Sequence, residues 1–306
     1  MKARQGKKGS PGRATPLSRP GLAGLTAVDR KAEASKPTHG KAAAGACRPN
    51  PMHPTPATAQ SAEPRSAPAY VARLADGVAA VRAAQALRFE VFNLELDEGL
   101  VQSYDTGLDA DPFDAVCDHL VVEDTHTGAV VGTYRLQTGT QAAAALGYYS
   151  EREFDFAPFE AMRGQIVELG RACIRREHRN FAVLNLLWKG IAAYAQERGA
   201  RYLVGCSSLT SQDEAGGAAA FAALGRHLAP APWRTVPTAA FACALQPVAA
   251  QAPKIPRLLG AYLALGAAIC GPPAIDREFR TIDFLTWIDA HSPPVQAVQR
   301  RGRFTA

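Results

Sequence analysis

The 306 residues hold 34 Lys and Arg against 28 Asp and Glu, a net charge of +6, but the surplus is uneven. Residues 1–68 carry 12 basic and 3 acidic side chains, a local +9, so the rest of the chain is close to −3 and its charge is no argument for nucleic-acid binding. Six scattered cysteines with no CxxC pair and no His/Cys ligand spacing exclude a disulfide scaffold or a zinc module and fit a reducing compartment.

Residues 1–68 are Lys, Arg, Pro, Gly, Ala and Ser with almost no large apolar side chain, too little to offset the entropy of ordering a chain. They read as a disordered basic tail, able to touch anionic lipid or RNA or simply solvated. Met1 leads into no apolar segment of signal-peptide type, so a cytoplasmic location is expected. From residue 69 onward the pattern changes. "VAAVRAAQALRFEVF" places Val81, Ala84, Leu87 and Val91 on one stripe and predicts an amphipathic helix over Val78 to Phe92. A looser acidic segment, Glu95 to Asp114, follows. "DHLVVEDTHTGAVVGTYRL" reads as a hairpin, with strands His119 to Glu123 and Ala129 to Leu136 around an Asp, Thr and Gly turn. Next come a helix near Ala142 to Leu146, a strand Gln165 to Ile174, a helix Phe181 to Arg198 stopped by Gly199, and a strand Arg201 to Cys206. "DEAGGAAAFAALGR" is helical in pattern. "LLGAYLALGAAIC", Leu258 to Cys270, has 13 residues, short of a membrane span, and predicts a packed helix opened by Pro256. "TIDFLTWI", Thr281 to Ile288, reads as a late strand. This order predicts one α/β (α+β) domain, residues 69–306, with a mixed, largely antiparallel sheet and flanking helices.

The chemistry gathers in "VELGRACIRREHRN". Glu168 and Arg171, three apart in an apolar strand, point to opposite faces unless the strand is irregular. Gly170 between them marks a bulge, which brings both to one side and opens a slot beside the neighbouring strand. The alternative is a buried ion pair between the two, or two charges on an exposed edge. Arg88 lies four before Phe92 on one helix face, Arg135 ends the hairpin, and Asp114 and Asp118 precede its first strand. His119 and His178 lack the company of a nucleophilic triad and are read as structural and exposed.

Taken in order, Arg88, Phe92, Phe113-Asp114, Gly132 with Arg135 in "VGTYRL", and Glu168 with Arg171 in "ELGR" resemble the acyl-homoserine-lactone synthases. "FDAVCDHLVV", "YYSEREFDF", "LLWKGI" and "LLGAYLALGAAICGPPAIDREFRTIDFLTWID" resemble more closely the bacterial ornithine lipid N-acyltransferases, often labelled hemolysin-like, and the N-acyl amino acid synthases. The resemblance spans residues 80 to 290. It implies the fold of GCN5-related N-acyltransferases and transfer of a (3-hydroxy)fatty acyl group from acyl carrier protein to the α-amine of ornithine, with no metal or redox cofactor.

On that footing Glu168, and after it Asp114, is the expected proton acceptor from the ammonium. Arg88, Arg135 or Arg171 is expected to hold a substrate carboxylate, and Asp114 or Asp118 the side-chain ammonium. Peptide N–H groups freed by the bulge are expected donors to the oxyanion. Where acetyl-CoA-using relatives carry R-x-x-G-x-G or A, this chain has Arg179-Asn180-Phe181-Ala182-Val183-Leu184. With glycine missing, a phosphopantetheine on acyl carrier protein is expected instead of CoA, held near Arg179, Asn180 and Phe181. Arg175, Arg176, Arg179 and Lys189 form the expected rim for that acidic partner. Rival readings are an acetyl-CoA-dependent acetyltransferase of the same fold and a non-catalytic module that binds membrane or carrier protein. A lipidic product adds the expectation of peripheral contact with an anionic inner membrane.

Overall fold

The computed structural model describes residues 69–245 and 253–296, so the basic tail expected over 1–68 lies outside the described residues. One mixed sheet organises them: β1 (Tyr70–Leu74), β2 (Asp118–Asp124), β3 (Val130–Thr138), β4 (Ile166–Ile174), β5 (Tyr202–Leu209), β6 (Ala268–Ile269), β7 (Ala274–Asp276) and β8 (Thr281–Asp289). The spatial order is β1-β2-β3-β4-β5-β8-β6, with β7 also paired to β8. Every pairing is antiparallel except β4 with β5. The expected mixed, largely antiparallel sheet is what forms.

Helices cover both faces. α1 (Gly77–Phe89) buries Ala84 and Leu87 on the expected stripe, then widens into a π-helical turn, Glu90–Glu95, that carries Val91 and Phe92 inward. α2 (Ser103–Thr106) is a single turn in the acidic segment, and α3 (Gly139–Ala144) follows β3. On the opposite face α4 (Phe181–Glu197) presses Val183, Leu187 and Ile191 onto Leu120, Tyr134, Leu136, Val167 and Leu169. Asn180 caps α4 through Oδ1, which accepts from the Val183 N–H at 3.1 Å, and Gly199 at φ +64° ends it. α5 (Glu214–Ala223) and α6 (Arg257–Ala264) close the β8 end.

The helix expected over Leu258 to Cys270 is half right. α6 stops at Ala264, the chain reverses through Gly266 at φ +88°, and Ala268–Ile269 pair with β8 as a strand. Continuous apolar composition hid the switch, because a buried helix and a central strand look alike in a short window. None of the described helices is long and apolar enough to cross a membrane.

Two irregularities in β4 shape its middle. Against β3, the register slips between Thr133↔Cys173 and Arg135↔Gly170, so β4 holds one extra residue there and Arg171 takes φ +50°. That bulge puts Gly170 and Arg171 on the same face as Glu168. Against β5, parallel pairing covers Ile166↔Tyr202, Val167↔Leu203 and Glu168↔Val204, and then ends. Both strands run on, β4 paired to β3 and β5 to β8, without meeting again. Glu168 therefore marks the crotch of a gap between two strands.

Gly205, the first β5 residue past the last pair, sits hard under β4: a Cβ there would overlap the Leu169 carbonyl oxygen. Gly205→Ala is expected to cost about 1–3 kcal/mol by urea denaturation, because the obstacle is backbone and cannot rotate away. Unchanged stability would mean that the strands part more freely than this contact implies.

Candidate active site

Glu168 is 5% exposed, and both its oxygens are engaged. Oε2 accepts from the Tyr149 N–H at 2.8 Å; Oε1 accepts from the Ser150 N–H at 2.7 Å and from Ser150 Oγ at 2.6 Å. These donors open the 3-10 turn Tyr149–Arg152, so the carboxylate anchors a turn that carries an aromatic ring over the gap. Burial pushes the Glu168 carboxyl above its ordinary value, against the opposing pull of the Ser150 and Tyr149 hydrogen bonds and of the Arg135 charge. Three donors use three of its about four lone-pair positions, leaving one for a substrate proton.

Beside it lies a buried lattice of three arginines and three aspartates. Arg88, from α1 and wholly buried, donates to Asp114 at 3.0 and 2.6 Å and to the Asp109 carbonyl. Arg135, from β3, donates to Asp111 at 2.6 Å and Asp114 at 3.0 Å. Arg171, from the bulge, donates to Asp111 at 2.9 Å. Asp109 Oδ2 lies 2.8 Å from Arg88 Nε and 3.3 Å from Arg171 Nε, in ion-pair range but off the hydrogen-bond axis of either. Burial works to raise Asp114 and Asp111, yet the bonds and charges of Arg88 and Arg135 on the first, and of Arg135 and Arg171 on the second, outweigh it and hold both low. The three guanidinium groups expected to clamp a substrate carboxylate thus face aspartates.

Aromatic rings floor this lattice. Arg171 stacks 4.3 Å from the Phe279 ring and 4.8 Å from Tyr149, and Arg135 lies 5.3 Å from Tyr149 and 5.5 Å from Phe113. Phe92 packs edge-on against Phe279, centroids 5.4 Å apart, and so supports Arg171 from beneath.

Other sequence candidates lie elsewhere. Asp118 accepts from Tyr194 at 2.7 Å and Gln141 at 3.1 Å, with Arg198 at 3.5 Å, so α4 and α3 hold it apart from the lattice. Arg179 pairs with both Glu95 oxygens at 2.6 and 2.7 Å, Arg176 reaches Glu95 at 3.3 Å, and Arg175 meets Glu90 at 2.9 Å. Much of the expected basic rim is thereby matched by acids of the π-helical turn, while Phe181 stands 79% exposed at the start of α4. Lys189 lines an apolar cleft with Trp188, Leu203 and Val295 instead. His119, buried, bonds the Asp114 carbonyl at 3.1 Å, and burial lowers its proton affinity, which fits a neutral structural ring. His178 shares a hydrogen bond with Tyr70 at 3.0 Å. Asp109 and Asp111 were not singled out in the sequence. The signal was there in Asp111-Pro112-Phe113-Asp114, where Asp111 and Asp114 form a capping box around the 3-10 turn Pro112–Ala115.

A family model described as an acetyltransferase (GNAT) domain matches residues 87–189, the span from α1 to α4 that holds these groups. The chain resembles the N-acyl amino acid synthase FeeM from uncultured soil microbes at 13% identity, with 77% of this chain and 97% of that one covered and a TM-score of 0.46. It is 36% identical over 228 residues to the L-ornithine N(alpha)-acyltransferase of Brucella abortus, covering 69% of this chain and 81% of the relative. The enzyme of the same name from Rhodobacter capsulatus is 33% identical over 237 residues, covering 73% and 91%. Identity at this level, sustained over more than four-fifths of each relative, fixes the kinship: the chain belongs to the L-ornithine N(alpha)-acyltransferase family.

Proposed function

We infer that this chain transfers a fatty acyl group to the α-amine of L-ornithine, taking it from the phosphopantetheine thioester of acyl carrier protein. The observation that carries the reading is the place of Glu168: a buried carboxylate at the point where β4 and β5 stop pairing, flanked by unladdered peptide groups. An ammonium there loses its proton to Glu168, directly or through water. The freed nitrogen attacks the thioester carbonyl, the C–N bond forms, and the oxyanion is met by N–H groups on the gap side of the two strands. Collapse breaks the C–S bond, and the thiolate leaves with a proton. A thioester is already activated, so this reading needs no metal or redox cofactor.

The donor choice follows from the start of α4. Asn180 caps it, and the two places where a tight pyrophosphate cradle needs glycine or another small residue hold Ala182 and the bulky Leu184. One phosphate of phosphopantetheine makes a smaller demand on those N–H groups. Peripheral contact with an anionic membrane, where the lipidic product would enter, belongs to the same reading.

The test uses the full-length protein with 3-hydroxyacyl carrier protein, the matching acyl-CoA or acetyl-CoA, and each common amino acid plus ornithine. N-acylornithine by mass spectrometry, with stoichiometric thiol release from the carrier protein, is the expected result. Amide formed only from a CoA thioester would overturn the donor; no amide with any pair would overturn the activity.

A further inference from the structure

Four buried carboxyl groups on the gap side of the sheet take no part in the chemistry above, and three of them converge. Glu153 follows the turn that Glu168 anchors, Asp276 ends β7, and Asp283 lies in β8; they are 1%, 5% and 3% exposed. One oxygen from each lies within 4.8 Å of the others. Among the described residues, no Lys, Arg or His side chain forms an ion pair with any of the three, and the nearby Arg152 is turned to Glu278.

Their own hydrogen bonds are incomplete. Asp283 Oδ2 accepts from Thr281 at 2.9 Å, but Asp283 Oδ1 is buried with no hydrogen-bond partner. Asp276 Oδ1 accepts from the Glu278 and Phe279 N–H groups, both at 2.8 Å, while its Oδ2 has only the Tyr149 hydroxyl at 3.5 Å. Glu153 Oε2 meets Cys206 Sγ at 3.6 Å, and the Glu153 carboxyl shares a side-chain hydrogen bond with Asp283. Burial and mutual repulsion push Glu153 well up, and burial lifts Asp283 to about 6 despite hydroxyl contacts. The fourth acid, Glu98, lies close enough to feel the Asp283 charge; burial lifts it to about 7, and it accepts from the Thr210 hydroxyl. Acids held dry without a counter-charge keep a proton between them until a cation arrives to replace it.

We propose that Glu153, Asp276 and Asp283 receive the side-chain ammonium of the acceptor amino acid, so that ornithine is chosen by its δ-nitrogen here while its α-nitrogen lies beside Glu168. This rests on the acceptor named above. An ammonium has three N–H donors and no acceptor, and three acceptors around it at hydrogen-bond distance stand about 4.6 Å apart, within the observed limit. The two ends are also close enough. Two side-chain atoms link the carboxylates: Ser150 Oγ, 2.6 Å from Glu168 Oε1, and Cys206 Sγ, 3.5 Å from that hydroxyl and 3.6 Å from Glu153 Oε2. An extended ornithine places its two nitrogens about 6 Å apart. Norvaline, with the same carbon chain and no δ-nitrogen, leaves the acids unpaired.

Calorimetry on the full chain with L-ornithine and L-norvaline separates the outcomes. The wild type is expected to bind ornithine at least ~10²-fold more tightly. Asp283→Asn and Glu153→Gln are expected to bring that ratio within ~5-fold, through lost ornithine affinity and with norvaline binding kept. An unchanged ratio in folded variants overturns the pocket alone; wild type that binds neither amino acid overturns the acceptor reading and the pocket with it. Binding of Mg²⁺ or Mn²⁺ alone, abolished by Asp283→Asn, also overturns it in favour of a metal site. Should the variants not fold, the wild type decides. At pH 6 ornithine is expected to release more protons than norvaline, read from heats in buffers of different ionisation enthalpy, because Glu153 and Asp283 must ionise to meet the ammonium. Equal proton release overturns the proposal.

Discussion

Replacing Glu168 with glutamine is expected to lower kcat by 10²–10⁴-fold, roughly the worth of a positioned general base. That loss alone does not separate a base from an anchor, because Glu168 also holds the Tyr149–Arg152 turn through the Tyr149 and Ser150 N–H groups and the Ser150 hydroxyl. A glutamine turns one acceptor into a donor facing those donors, and a stability cost of about 1–3 kcal/mol should accompany the change. Ser150→Ala resolves the two roles. Its hydroxyl bond stabilises the charged form of Glu168 and opposes the upward push of burial. Removing that bond raises the carboxyl further, so the acidic limb of the kcat/KM profile should move to higher pH while the alkaline limb stays. Both backbone N–H bonds to Glu168 survive the substitution, which keeps the turn in place. A limb that does not move would leave Glu168 as the anchor of the turn and remove it from proton transfer.

The bulge in β4 was legible from one glycine. Gly170 between Glu168 and Arg171 signalled a bulge, and the register slip opposite Arg135 is that bulge. The stop of α4 at Gly199 and the hairpin were legible for the same reason: turn and cap residues act locally, so their effect survives in a short window. The short strands were not. β1, β6 and β7 have five, two and three residues, too few for a period to show, and their existence depends on the long strands they pair with. The aspartates of the lattice hid for a different reason. Asp109 and Asp111 lie in an acidic, loosely structured segment that reads as solvated, and only the convergence of Arg88, Arg135 and Arg171 from three elements draws them in. Of Glu153, Asp276 and Asp283 only the last carried a visible sign, set between apolar neighbours in "TIDFL", whereas Glu153 follows Arg152 and Asp276 precedes Arg277 and Glu278. A lone acid in an apolar run indicates burial, yet it takes the fold to bring the other two beside it.

Arg88→Met should destabilise the protein by about 3–5 kcal/mol, because it takes from two buried aspartates the nearer of their two guanidinium partners. Arg88 is fully buried and provides the closest cationic atoms to both Asp109 and Asp114, so neither aspartate can turn to water in its absence. The pH dependence identifies the cause. In the wild type Asp114 titrates below its unfolded value, so the stability it contributes is present above pH ~4 and is lost as pH falls toward its folded value. Without Arg88 burial is opposed by less charge, the Asp114 carboxyl rises, and protonation now relieves the variant. The stability gap between wild type and variant should therefore be largest at pH 7 and shrink toward pH 4, followed by urea denaturation midpoints. Arg88→Met combined with Asp114→Leu should recover part of the loss at pH 7, since removing both members of a buried pair costs less than stranding one. A gap that is the same at pH 4 and pH 7 would assign the role of Arg88 to packing of its stem against α1 and the sheet, and would leave the lattice without the electrostatic strength described for it.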